Sequence, residues 1–138
     1  MNKGFLFLLL LTGAVAGCTF TVTKQKMPVF GEPMDSLKAE LGKMLSAENL
    51  SFTGREINEN NAKHSELEID IINGTHIPGE EDRMALMAKA IAMDVKRGLK
   101  DTTEYGTYKV IFMTVTTSAG VTARKWRGRE FTSTELSH

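Results

Sequence analysis

The sequence predicts an α+β fold, a two-layer sandwich with two helices on one face of a four-stranded, mainly antiparallel sheet. Three observations carry this. Apolar residues recur at helical spacing twice, from Leu37 to Leu45 and from Met84 to Leu99. Apolar and charged residues alternate strictly from Glu66 to Ile71. Two further strand-like runs, 107–117 and 121–132, flank Ser118-Ala119-Gly120, a connection of hairpin length. The order is αββαββ, and helices interleaved with strand pairs define a layered α+β architecture.

The first helix is expected to open at Asp35-Ser36, either of which can cap the orphan amides, and to run to about Leu45 or Ala47. Leu37, Leu41, Met44 and Leu45 lie on one side of it. Asn49 to Ile57 reads as a strand with Leu50, Phe52 and Gly54 on one face, and Asn58-Glu59-Asn60-Asn61 is a turn signal. The next strand runs from about Lys63 to Asn73. It places Leu67, Ile69 and Ile71 inward and Glu66, Glu68 and Asp70 outward. The main helix spans Glu80 to about Leu99. Glu80, Glu81 and Asp82 sit at its positive end, and Lys96, Arg97 and Lys100 at its negative end. Met84, Met87, Ala88, Ile91, Val95 and Leu99 form its apolar stripe.

The amino-terminal stretch has a different character. Lys3 precedes 14 apolar or small residues, Gly4 to Gly17, while a membrane-crossing helix needs about 20. Short length, a basic start and a small-residue exit mark a cleaved export signal. Val15-Ala16-Gly17-Cys18 resembles the lipobox of bacterial lipoproteins, and Cys18 is the chain's one cysteine. The resemblance implies acylation of the Cys18 sulfur, cleavage after Gly17 and attachment to membrane lipid through the new terminus. It divides the chain into a signal peptide (1–17), a lipidated terminus and tether (18–34) and a single domain (35–138). Pro28, Gly31 and Pro33 exclude a regular helix from the tether, which fully extended reaches about 50 Å at roughly 3.4 Å per residue. Thr19, rather than Asp, follows the cysteine. By resemblance to lipoprotein sorting signals this favours the outer membrane, facing the periplasm.

Composition narrows the function. With Cys18 acylated, no cysteine remains for a disulfide, a thiolate metal site or thiol catalysis. Basic and acidic residues number 17 each, and nucleic-acid binding wants a clear basic excess. His64, His76 and His138 lack the spacing of metal ligands, so no metal or cofactor is expected. No phosphate loop, nucleophile elbow or zinc-protease signature occurs. The remaining candidate for acid–base chemistry is His76 beside Glu80, Glu81 and Asp82, which a solvated loop and a charged helix start also explain.

The conspicuous local feature is Arg124-Lys125-Trp126-Arg127-Gly128-Arg129. On a strand, Lys125, Arg127 and Arg129 share a face at the same spacing as Glu66, Glu68 and Asp70. Were the two strands neighbours, a cross-strand charge ladder results, worth a few tenths to about 1 kcal/mol per pair. Trp126 then joins the core on the opposite face. The alternative is a binding patch of Arg124, Trp126, Arg127 and Arg129 for a glycan or small anionic ligand, with Trp126 as stacking platform. The expectation is a lipid-anchored envelope protein whose small, non-enzymatic α+β domain binds an envelope protein partner.

Overall fold

The computed structural model describes residues 20–137. The expected signal peptide (1–17), Cys18, Thr19 and His138 therefore lie outside the described residues. The chain runs β1 (Thr21–Gln25), α1 (Met34–Leu45), β2 (Asn49–Glu59), β3 (Ala62–Ile72), α2 (Glu81–Gly98), β4 (Thr107–Ser118) and β5 (Val121–Thr132). The strands form one sheet in the order β1-β2-β3-β4-β5. Neighbours are antiparallel except β3 and β4, which are parallel. A parallel pair needs a crossover of a dozen or more residues, and α2 with its flanking loops supplies it.

The class is α+β, but the sheet has five strands among the described residues, not four. The fifth comes from the segment expected to be a tether. Thr21–Gln25 pairs with Arg55–Glu59 of β2, and all five of its residues are exposed. An edge strand with neither face buried shows no apolar alternation, so periodicity passes over it. Pro28, Gly31 and Pro33 fall after it. The chain then returns to the body: Phe30 bridges Leu99 and packs against the core beside Phe52. α1 begins at Met34 with no side-chain cap, so Asp35 and Ser36 lie inside it rather than capping it.

The core forms on one side of the sheet. Leu50, Phe52, Leu67, Ile69, Ile71, Tyr108, Val110 and Phe112 occupy alternate strand positions. They join Leu41 and Leu45 of α1 and Met84, Ala88, Ile91, Ala92 and Val95 of α2 in one buried cluster. Met87 and Met93 pack against that cluster, as flexible thioethers commonly do. The opposite face, carrying Glu66, Glu68 and Asp70, has no helix over it among the described residues.

Both hairpins close on two left-handed residues. Asn60 and Asn61 have φ of 49° and 67°, and Ala119 and Gly120 have 48° and 79°. Two positive φ values define the turn whose twist matches that of paired strands. The hairpins differ in support. β2 and β3 are flanked on both sides along much of their length, whereas β3 reaches only Met113 of β4. β4 continues to Ser118 paired with β5 alone. Every residue from Thr116 to Trp126 is exposed. These residues form a two-stranded arm projecting past the end of the sheet.

Candidate functional site

The parity of β5 is set by its register with β4. Phe112, buried on the helix side, lies opposite Arg127, and Met113, on the open side, lies opposite Trp126. Lys125, Arg127 and Arg129 therefore sit on the helix side, and Arg124 and Trp126 on the open side. This reverses the expected placement. Trp126 is 68% exposed and does not belong to the core.

The expected ladder between β5 and β3 is also absent, because β4 lies between them. The acidic stripe of β3 takes its partner from the other neighbour. Arg55 of β2 contacts Glu66 at 3.2 Å and Glu68 at 3.0 Å. Lys109 of β4 stands opposite Glu68 on one side and Glu130 on the other. Ser51 donates a hydrogen bond to Asp70 at 3.0 Å. Burial nevertheless pushes the Asp70 carboxyl above its ordinary value, with the Ser51 bond opposing.

The arginines of β5 have different work. Arg127 donates to the carbonyls of Gly79 at 3.1 Å and Pro78 at 2.9 Å. Arg129 pairs with Glu81 in the first turn of α2. Together they latch the start of α2 to the sheet edge. Cations on the inward side are tolerated here because the helix layer ends, leaving loop carbonyls and a carboxylate instead of apolar side chains.

The binding patch of Arg124, Trp126, Arg127 and Arg129 is thus divided between two faces. Arg124 and Trp126 share the open side with the half-buried Ile111, Met113 and Val115. On the other side a cleft of about 390 Å³ is lined by Ile77, Phe112, Thr114, Lys125 and Arg127, with Gly74 and Gly79, and it reaches Trp126 at its border, where that residue passes between Lys125 and Arg127. It lies at the carboxyl ends of the parallel pair β3 and β4, the customary ligand position in open sheets with helical crossovers. Its volume falls within the range of about 300–1,000 Å³ typical of ligand sites. Two cations and no carboxylate line it. Sequence reasoning missed the contribution of Phe112 and the 74–79 loop, because only the crossover brings them beside β5.

The His76 group does not assemble. His76 shares a hydrogen bond with Ser46 at 3.1 Å, Glu80 pairs with Arg83 at 3.0 Å, and Glu81 pairs with Arg129. Among the described residues no cluster of three or more His, Cys, Asp or Glu forms a metal-binding group. No helix among them is long and apolar enough to cross a membrane. No protein family, curated protein or solved structure matches this chain.

The exposure of Trp126 has a direct optical consequence, since it is the chain's one tryptophan. Its emission is expected at the solvent-exposed wavelength and to be quenched efficiently by iodide. Quenching by caesium should be weaker, because Arg124, Lys125 and Arg127 raise the local anion concentration. A blue-shifted emission indifferent to iodide would place the indole in an apolar interior and overturn the parity of β5.

Proposed function

We propose that this protein is a lipid-anchored component of the bacterial cell envelope, facing the periplasm, whose α+β domain is a non-enzymatic interaction module. The lipobox-like Val15-Ala16-Gly17-Cys18 supports the anchor. The observation that carries the interaction is the projecting arm. It displays Trp126 at 68% and Val121 at 69% exposure, where an isolated hairpin has little support of its own. Among the described residues, Arg124 and Lys125 have no carboxylate within ion-pair distance. A large exposed aromatic beside an uncommitted arginine is the composition enriched at protein interfaces. The partner is an envelope protein with an apolar groove and an acidic rim.

The test has two stages. Cys18→Ala is expected to release the protein from the membrane fraction, and mass spectrometry of the wild type to show acyl chains on Cys18. Photo-crosslinking from position 122 in intact cells is then expected to trap one discrete envelope component, lost in Trp126→Ala. Recovery of bulk lipid alone, or capture indifferent to Trp126→Ala, counts against the reading.

A second reading is favoured by the cleft over Phe112. Lys125 and Arg127 there suit a small anionic ligand or an acidic glycan, with the apolar floor taking its uncharged part. Arg127 is already committed to two carbonyls, so Lys125 carries the recognition. Lys125→Met separates the readings: it abolishes binding of an acidic glycan fragment in the second, while in the first it only weakens a crosslink that Trp126→Ala abolishes.

A further inference from the structure

Resting on the lipid-anchor reading, we infer that the domain stands end-on against the bilayer, with Phe20, Val22 and the Asn60–Asn61 turn at the lipid surface and the β4–β5 arm pointing away. The first described strand begins at Thr21, three residues after Cys18. At roughly 3.4 Å per residue this link spans at most about 10 Å, not the 50 Å of a free tether.

The register fixes which end is held down. Thr21 lies opposite Glu59, which lies opposite Ala62, and the Asn60 amide donates to the Phe20 carbonyl at 3.3 Å. The anchor therefore enters at the β2–β3 turn. Phe20 is 74% and Val22 37% exposed there, a small apolar tip where aromatic rings favour the headgroup region. Lys24 and Lys63 stand beside Val22 with Glu56 between them, and Glu59 lies opposite Thr21, so the tip meets the headgroups with mixed charge and is held there by the anchor and its apolar residues. Lying flat on the open face would instead press Glu66, Glu68, Asp70 and Glu130 toward those headgroups, a set that Arg55 and Lys109 offset only in part, and would lift the tip from the anchor point.

The reach follows from strand length. β3 runs 11 residues from Ala62 to Ile72, and β4 extends from Met113, the partner of Ile72, to Ser118. At about 3.3 Å per residue the arm tip stands about 50 Å from the anchored end. Rigid sheet, rather than loose chain, supplies the distance into the periplasm.

Acylation of Cys18 makes the test clean, because an introduced cysteine is then the only free thiol. Ala62→Cys, with Lys63→Cys as a second position, and Ala123→Cys are labelled with a fluorophore in the full lipidated protein. Each is reconstituted into vesicles of phosphatidylethanolamine and phosphatidylglycerol containing a headgroup quencher. Strong loss of fluorescence at 62 and 63, with none at 123, is the expected result. Equal quenching at both ends, or quenching at neither, overturns the end-on orientation while the anchor stands. A wild-type protein that itself takes up the thiol label and washes off vesicles with salt overturns the anchor, and the orientation with it.

Discussion

Gly54→Ala is expected to destabilise the fold by about 3 kcal/mol, the upper end of what overpacking usually costs. Gly54 sits on the buried side of β2 where three segments cross. The Tyr105 hydroxyl donates to the Lys26 carbonyl at 2.8 Å, and the Lys26 amide donates to the Gly54 carbonyl at 2.7 Å. A methyl group on Gly54 falls well inside contact distance of the Lys26 carbonyl and Tyr105 hydroxyl oxygens, and 2.8 Å from Tyr105 Cζ. The first obstacle is backbone and the second is the end of a buried ring, so neither yields cheaply. Relief requires breaking the Tyr105 bond or lifting the chain that leaves β1 away from β2. Chemical denaturation read by circular dichroism checks this. A change smaller than about 0.5 kcal/mol, the size of an ordinary surface substitution, would show that the crossing is not tight.

Strong alkali is expected to unfold the domain between pH 10 and 12. Tyr105 and Tyr108 are both fully buried, and burial, aided by the Glu104 charge, pushes each phenol from 10.0 to about 12. Below pH 10 both states hold the two protons and nothing is lost. Above it the unfolded chain releases protons that the folded chain retains, so stability falls as pH rises toward 12. Each pH unit crossed costs about 1.4 kcal/mol per tyrosine. Two tyrosines together remove several kcal/mol, comparable with the low end of the roughly 5–15 kcal/mol that holds a domain folded. The chain has two tyrosines, so tyrosinate absorbance reports these and nothing else. It should rise in one cooperative step together with loss of helical dichroism. A gradual titration centred at pH 10 with the dichroism intact would mean both hydroxyls reach water.

These effects concern parts of the molecule that were legible to different degrees. The inward set Leu67, Ile69 and Ile71 and the stripe on α2 are visible in the sequence, because burying one face imposes a period that local order alone displays. The two hairpins are visible for a similar reason. Asn60-Asn61 and Ala119-Gly120 are short connections between strand-like runs, and their positive φ values are a local backbone matter. β1 is invisible to the same reasoning, since an exposed edge strand is held by backbone hydrogen bonds that carry no side-chain signature. Gly54 reads as an ordinary strand glycine until Tyr105, 51 positions later, is seen lying across it.

The candidate site shows the division most sharply. A sequence of alternating residues states that Lys125, Arg127 and Arg129 share a face opposite Trp126, and that pairing holds. It does not state which face is inward, because β5 has too few apolar residues to decide its own parity. The register against Phe112 and Met113 decides it, sending Trp126 to the open side and the two arginines to the start of α2. Likewise the sequence offers two complementary charge stripes but not their separation. The crossover through α2 inserts β4 between them, and Arg55 from the other neighbour binds the acids instead.

By itself, then, the amino-acid order determined the α+β class, the inward faces of β2 and β3 and a lipobox-like Cys18, because each is written in contiguous residues. Only the tertiary structure decided the fifth strand, the strand order, the exposure of Trp126 and the short link between Cys18 and the sheet. Those depend on which distant segments become neighbours, and pairing between strands is governed by backbone groups that every residue shares.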